Sequence, residues 1–293
     1  EQEERFFKLY MDAHHPGLEP DGNGLYYIEH EAGSGPQPGA EEWVRINYVG
    51  YSIPDEWVVD THLENVALDN GIGKDGALYG PLKMQVDAKS EGVSLGLQKM
   101  RAGGKASFFF MSDLGYGSGG NKMMRSIPAY TSLKYEVELL EIIPDIEAYE
   151  AQRILDYVDT IPGIDTIRDP ASDALMYYVV DVPNDTGSVV APDSMVYVNY
   201  KGHLIDGRVF DESKEGSPLK FQLGVTEMIE GWDLGMQRFK AGESGRLVIP
   251  YTLAYGKAGD FKGPYVSIPA YATLVFDIEV TEVKAASKDK DKD

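Results

Sequence analysis

The chain of 293 residues contains no cysteine, only three tryptophans and few basic residues. The lack of cysteine excludes disulfide bonds, thiol catalysis and cysteine-ligated metal sites, although it does not fix a cellular compartment. The 27 lysine and arginine residues are outnumbered by 48 acidic residues, and the net charge of -21 repels phosphate backbones. Nucleic acid is therefore not an expected partner. No apolar run approaches the roughly 20 residues that cross a bilayer, so we expect no membrane-spanning segment.

The chain contains an internal repeat. The segment 228–256, MIEGWDLGMQRFKAGESGRLVIPYTLAYG, matches the segment 89–117, KSEGVSLGLQKMRAGGKASFFFMSDLGYG. An offset of this size predicts two whole domains rather than a solenoid of short units. The second copy carries Trp232 where the first carries Val93, so each copy is an internal control for the other.

Hydrophobic periodicity indicates the same order of elements in both copies. Residues 3–13 and 145–160 each have helical spacing and are followed by a Pro-Gly pair. Strand patterns of period two follow, and one helical apolar stripe lies inside each copy. We predict an α+β fold of two domains, each a curved antiparallel β-sheet wrapped around a short α-helix, with a leading helix before each. The predicted boundaries are an N-terminal helix in 1–22, a first domain in 23–143, a helical linker in 144–170, a second domain in 171–284 and a disordered tail in 285–293.

The first copy has gained residues between Tyr48 and Pro81 relative to the second. This insertion includes the run 70–76, NGIGKDG, which is rich in turn-forming residues. We therefore expect it at the surface. The five histidines show no metal-ligand spacing, so they are also expected on the solvated surface, and no metal site is predicted.

The second copy contains aromatic residues that a sheet and a helix can bring together. An ordinary aromatic core would also account for such a set, so the motifs around these residues are needed to distinguish a core from a binding site. Phe210-Asp211 follows the turn Asp206-Gly207, Glu227-Met228-Ile229 precedes Gly231-Trp232, Ala254-Tyr255-Gly256 ends a strand, and Ile268-Pro269 precedes the last strand. In this order and spacing, the motifs closely resemble the FKBP family of peptidyl-prolyl cis-trans isomerases over residues 196–283.

The resemblance implies that both domains are FKBP-like and that the second holds an apolar pocket for a proline ring. The implied catalytic residues are Tyr200, Phe210, Asp211, Phe221, Trp232, Tyr255 and Phe276. The implied substrate-binding residues are Leu219, Glu227, Met228, Ile229 and Ile268. Trp232 is expected to form the pocket floor, while the Ile229 N–H and the Tyr255 hydroxyl donate to substrate carbonyls. Leu219 departs from the aromatic residue of many members, which should alter preference for the residue before proline.

The implied function is isomerisation of Xaa-Pro bonds in protein substrates through the C-terminal domain, which assists protein folding. It requires no cofactor, metal or nucleophile, and the implied ligands are proline-containing polypeptides and macrolides. The first copy is degenerate, so we expect weak or absent activity there. It keeps Tyr48, Asp60, Tyr116 and Ile127 but has Val59, Met84, Val93 and Tyr135 at the other pocket positions.

Two other functions remain open at this point. One is a non-catalytic peptide-binding chaperone, in which the first domain is a scaffold or forms a homodimer through the leading helices. The other is a structural envelope protein with a vestigial fold. The acidic balance, the missing initiator methionine and the leading helix favour an exported bacterial protein, in the periplasm or lipid-anchored at the cell envelope. A cytoplasmic location also stays open.

Overall fold

The computed structural model describes residues 1–122, 126–262 and 265–285. It contains two compact bodies. The first body comprises Glu1–Ile146 with Phe261–Val266, and the second comprises Glu147–Asp260 with Ser267–Asp293. Apart from residue 285, the predicted disordered tail lies outside the described residues. The predicted domain boundaries stay a prediction.

The first body is built on one antiparallel sheet with helices around it. Its helices are α1 (Gln2–His14), α2 (Glu64–Asp69) and α3 (Glu91–Lys99). Its strands are β1 (Tyr26–Glu31), β2 (Trp43–Ile53), β3 (Val58–Thr61), β4 (Leu82–Gln85), β5 (Gly104–Phe110), β6 (Asn121–Lys122), β7 (Ser126–Ile127) and β8 (Ser132–Ile143). The six-stranded sheet has the order β1-β5-β8-β2-β3, with β4 also pairing with β2, while β6 and β7 pair separately.

The second body repeats this plan with one extra strand. Its helices are α4 (Ile146–Val158), whose first residue belongs to the first body, and α5 (Glu230–Met236). Its strands are β9 (Asp165–Arg168), β10 (Leu175–Val182), β11 (Met195–Leu204), β12 (Val209–Glu212), β13 (Leu219–Gln222), β14 (Ser244–Ile249) and β17 (Leu274–Lys284). Two further strands, β15 (Asp260–Lys262) and β16 (Tyr265–Ile268), form a separate pair, and their residues within Phe261–Val266 belong to the first body. The seven-stranded sheet has the order β12-β11-β17-β14-β10-β9, with β13 pairing with β11. The predicted α+β class, with its antiparallel sheets and short helix in each copy, is confirmed.

The sheet register shows that the two copies align residue by residue. In β2 the register shifts between Arg45 and Ile46, and in β11 it shifts between Tyr197 and Val198, which are the matching residues of the repeat. A β-bulge at the same position in both copies turns the same side chains of the two strands toward the core. The alternation of buried and less buried side chains along β11 follows the period of two that its sequence predicts.

A glycine sets the distance between α5 and the sheet beneath it. A Cβ on Gly231 would lie 2.2 Å from the Cγ2 of Ile249 on β14. Only glycine allows this approach, because any side chain would force the helix away from the strand. Trp232 is the next residue on this short helix and is 1% exposed. The glycine therefore fixes how deeply the tryptophan enters the body.

The leading helices pack on the bodies that they precede. Phe7, Tyr10 and Met11 of α1 form a buried cluster with Ile53 and Phe109. The Tyr10 hydroxyl donates to the Glu56 carboxylate, which ties the helix to the β2–β3 turn. In the second body, α4 buries Ile154 and Val158 against Tyr177, Val248 and Val275. Among the described residues, no helix is both long enough and apolar enough to traverse a membrane.

Two expectations about the first copy are wrong. The insertion is not only a surface loop, since it contains α2 and contributes Ala67 and Ile72 to a buried cluster with Val49 and Val58. His62 is not a solvated surface residue, because it is 6% exposed and its ring lies 5.7 Å from the Tyr48 ring. Both errors have one cause. A short insertion that packs on a sheet has too few residues to show a hydrophobic periodicity, so its burial cannot be read from the sequence.

Candidate functional site

The predicted aromatic residues of the second body form one connected cluster centred on Trp232. The Trp232 ring lies 5.0 Å from Phe276, 5.7 Å from Tyr200 and 5.9 Å from Phe221, each in an edge-to-face arrangement. Phe210 extends the cluster, since its ring lies 5.6 Å from Phe276. Edge-to-face pairs satisfy the quadrupoles of the rings and add to the apolar burial. Five of the seven predicted catalytic residues thus share one apolar region.

This cluster is buried at its base and open at its edge. Trp232 and Phe221 are each 1% exposed and Phe276 is 7% exposed, whereas Tyr200 and Phe210 are half-buried. Buried rings therefore form a floor below partly accessible ones. Such an arrangement offers an apolar surface to an apolar ring of a ligand.

Strand pairing brings Asp211 to the edge of the cluster. Asp211 on β12 faces Gly202 on β11, where a Cβ would lie 2.7 Å from the Phe210 ring and 2.9 Å from the Phe276 ring. The exposed Asp211 carboxylate accepts a hydrogen bond from the Tyr200 hydroxyl at 2.6 Å. Burial and this hydrogen bond raise the pKa of Tyr200 well above its usual value. The tyrosine is therefore held as a neutral donor.

Tyr255 lies near this edge but outside the ring contacts. Its side chain is 42% exposed. Burial raises the pKa of its hydroxyl, with further contributions from the negative charges of Asp260 and Asp211. Tyr255 is thus an accessible, protonated hydroxyl close to the carboxylate that holds Tyr200.

The five predicted substrate-binding residues border the site at different depths. Ile268 is 4% exposed, Met228, Ile229 and Leu219 are half-buried, and Glu227 is exposed. Ile229 is the N-cap of α5, where backbone N–H groups lack partners within the helix. The described contacts do not link Leu219, Glu227, Met228 or Ile268 to the aromatic cluster, so their role stays a prediction.

Comparison with known families decides the identity of this fold. The model of the FKBP-type peptidyl-prolyl cis-trans isomerase family matches residues 35–140 and 187–281, which lie in the two copies of the repeat. The chain belongs to this family. The predicted tandem FKBP arrangement is confirmed, and both copies carry the family pattern.

FKBP relatives that are similar in sequence match about one domain of this chain. FK506-binding protein 2 of Debaryomyces hansenii is 43% identical over 120 residues, which cover 40% of this chain and 85% of that protein. The FKBP-type peptidyl-prolyl cis-trans isomerase FkpA of Escherichia coli is 46% identical over 120 residues, covering 40% of this chain and 41% of that protein. A solved structure of the three FKBP domains of wheat FKBP73 covers 90% of this chain and 96% of its own, at 18% identity and a TM-score of 0.36. The chain thus spans less than half the length of its Escherichia coli relative.

The matching FKBP site of the first body has a different interior. Tyr48, Val59, Met84, Val93 and Tyr135 are each at most 5% exposed. The positions that form a partly open edge in the second body are therefore inside the core of the first. Burial, followed by the charge of Asp60, raises the pKa of the Tyr48 hydroxyl.

The sequence analysis missed the residue that distinguishes this interior. Lys89 stands where the second FKBP domain has Met228, and its Nζ lies 2.5 Å from Asp60 Oδ2. The sequence does contain a signal for this residue: the first copy has a lysine where the second has a methionine, shortly before the position of Trp232.

Proposed function

We propose that the second body catalyses cis–trans isomerisation of Xaa-Pro bonds in unfolded or partly folded protein chains. One observation carries the proposal: the Trp232-centred aromatic cluster has a partly open edge that carries the Tyr200–Asp211 hydrogen bond. The family match and the names of the relatives support the same activity. The proline ring of the substrate would lie on the buried rings.

The chemistry of this reaction suits an apolar pocket. A planar amide is stabilised by charge-separated resonance, and rotation about it faces a barrier of about 18–20 kcal/mol. In the twisted transition state this resonance is lost, so the carbonyl is less polar. Trp232, Phe221 and Phe276 offer a surface that excludes water and hence favours the twisted state over the planar one. No covalent bond has to form or break.

Two donors at the edge would orient the peptide. The Ile229 N–H at the start of α5 and the Tyr255 hydroxyl are proposed to donate hydrogen bonds to carbonyl oxygens on either side of the proline. Fixing these carbonyls holds the chain in a turn and lowers the entropic cost of reaching the twisted geometry. The raised pKa of Tyr255 keeps its hydroxyl protonated, as a donor must be.

The proposal is tested by a peptide isomerisation assay on the full chain. The parent should accelerate the reaction, and Trp232→Ala should lower kcat/KM at least about tenfold because the floor of the pocket is removed. Since removing a buried tryptophan costs about 3–5 kcal/mol of stability, Trp232→Phe is measured beside it and folding is followed by hydrogen exchange. The matched control is Trp57→Phe, at a residue that is 60% exposed in the first body, and it should match the parent.

Two results would contradict the assignment. A parent chain no faster than buffer removes the catalytic proposal. Folded Trp232 variants that equal the parent remove the pocket proposal but leave the activity to another site.

The finer predictions about this chain stay proposals. Assistance to protein folding and binding of macrolides follow from the pocket and the family match. Export to a bacterial envelope is supported by the match to the Escherichia coli relative, and cell fractionation tests it. A homodimer remains a prediction that sedimentation of the full chain checks.

A further inference from the structure

The first body contains an ion pair that is almost fully shielded from water. The Lys89 ammonium lies 2.5 Å from Asp60 Oδ2, and the two side chains are 11% and 3% exposed. Lysine and aspartate are almost never buried to this extent unless they are paired. The pair therefore cannot be treated as a surface salt bridge of little consequence.

The polar groups around this ion pair satisfy one another. The Tyr48 hydroxyl donates to Asp60 Oδ1 at 2.9 Å, and the Tyr135 hydroxyl donates to Oδ2 at 3.4 Å. The Lys89 ammonium also lies 4.4 Å from the centroid of the Tyr48 ring, a distance typical of a cation–π contact. Tyr116 completes the set through a hydrogen bond with Tyr135. We call Lys89, Asp60, Tyr48, Tyr135 and Tyr116 the polar plug.

Four members of the polar plug match residues of the proposed peptide site. Gly50 pairs with Asp60 and with Tyr135 across the sheet of the first body, just as Gly202 pairs with Asp211 and Phe276 in the second. Tyr48 precedes Gly50 by two residues, as Tyr200 precedes Gly202. Tyr116 matches Tyr255 in the repeat.

The fifth member, Lys89, matches Met228, which is half-buried beside the N-cap of α5. In the first body this position supplies a long cationic side chain that reaches the ring of Tyr48. In the second body the matching ring, Tyr200, contacts Trp232 and Phe276 and stays half-buried. The side chain of Lys89 thus covers a face of the buried Tyr48 ring, whereas the matching Tyr200 is only half-buried.

We propose that Lys89 is a built-in occupant of the first body's pocket and that it closes this pocket to prolyl peptides. Val59, Met84 and Val93 offer less aromatic surface than the residues at the matching positions of the second body, and the lysine fills the remaining space. Asp60 holds the ammonium in place, so the pocket becomes part of the core. The inference concerns the first body and does not depend on whether the second body is catalytic.

The first test measures peptide binding with the second pocket disabled. A tetrapeptide with Phe-Pro at its centre is titrated into full-length chain carrying Trp232→Ala, with and without Lys89→Met, by ligand-observed NMR. Met is the residue that the second body has at this position, so the substitution opens the pocket without an unnatural side chain. We expect at least about tenfold tighter binding with Lys89→Met, while Lys89→Arg, which keeps a long cation, should bind like the lysine form. Equal binding by the lysine and methionine forms would overturn the proposal.

The second test needs no peptide and uses the unmodified chain. Acetylation of lysine amines by acetic anhydride is followed by mass spectrometry, with Lys105 of the same body as the internal reference because its side chain is 44% exposed. Lys89 should react at least about tenfold more slowly than Lys105, since its ion pair is shielded from water whereas the ion pair of Lys105 with Glu31 is exposed. Equal rates would show that the ammonium is free in solution and would refute the plug even if every Lys89 variant failed to fold.

Discussion

The two bodies carry the same order of paired strands and the same Tyr-Gly-Asp geometry, yet the tyrosine and the aspartate are buried in one body and partly accessible in the other. In the first body Tyr48 and Asp60 are each 2% exposed. In the second body Tyr200 is half-buried and Asp211 is exposed, although the Tyr–Asp hydrogen bond is present in both. The difference shows that the backbone and the conserved pair of the repeat do not by themselves make a binding site.

What the pocket does depends on which residues the α3 and α5 segments present to the sheet. Trp232 is the buried centre of an aromatic cluster with a partly accessible edge, whereas Val93 provides no ring at the matching position and the nearby Lys89 forms a shielded ion pair with Asp60. A complete set of internal partners makes the first pocket a stable part of the core. In the second body Tyr255 and Asp211 stay exposed.

The largest effect that separates the two bodies is expected from removing the carboxylate charge. Asp60→Asn leaves the Lys89 ammonium buried without a counter-charge, which should cost about 3–5 kcal/mol of the first body's stability. Asp211→Asn is the matched control, since the same change at an exposed carboxylate should cost about 1 kcal/mol or less. Hydrogen exchange read by mass spectrometry follows β2 and β11 separately. Equal losses in the two bodies would show that the ion pair is not buried in solution.

The next effect comes from moving the lysine to the other copy. Since Met228 matches Lys89, Met228→Lys should bring the amine to the Tyr200–Asp211 pair, reproduce the plug and lower kcat/KM at least about tenfold with the fold intact. Met228→Leu, which keeps an apolar side chain of similar volume, should stay within about twofold of the parent. The readout is the peptide isomerisation assay. Full activity of the folded lysine variant would mean that the two pockets differ for another reason.

Much of this comparison follows from the sequence. The repeat, the period-two strands and the motif spacing were sufficient to predict two antiparallel bodies and the family. The aromatic set around Trp232 was also predictable, because Phe210 and Trp232 stand within motifs whose spacing resembles the family and the other rings follow from that resemblance.

The closure of the first pocket was not predictable from local patterns. Lys89 and Asp60 lie 29 residues apart and meet only because the segment just before α3 packs against the sheet to which β3 belongs. A lysine is normally expected to be exposed to solvent. Its burial depends on an ion-pair partner from elsewhere in the chain, which hydrophobic periodicity cannot identify. For the same reason α2 was missed, since six residues of helix stabilised by the packing of Ala67 give almost no periodic signal.

A smaller effect is expected from the hydroxyl that the two copies share. Tyr255→Phe removes one proposed hydrogen bond to a substrate carbonyl and should lower kcat/KM about three- to tenfold, with the half-exposed ring kept in place. The matched control is Tyr116→Phe, whose hydroxyl is engaged inside the polar plug, and it should leave the activity unchanged. A loss of equal size in both variants would mean that the first body contributes to catalysis.

The smallest effect distinguishes the tyrosines of the two pockets by pH. Burial raises the pKa of Tyr255, so its hydroxyl remains a donor and kcat/KM should stay flat from pH 7 to about 10, the ordinary pKa of tyrosine.

Burial also raises the pKa of Tyr48 and Tyr135, so these two hydroxyls keep their protons in the folded chain at a pH where the unfolded chain has lost them. Their contribution to stability is therefore complete below about pH 10 and declines as the pH rises further. Absorbance at alkaline pH should show Tyr255 ionising in the folded protein, whereas Tyr48 and Tyr135 ionise only as the first body unfolds. The Tyr48→Phe chain is titrated beside the parent. If the parent shows one more phenol ionising before unfolding than this variant does, Tyr48 exchanges its proton with water in the folded state, which would contradict the closed pocket.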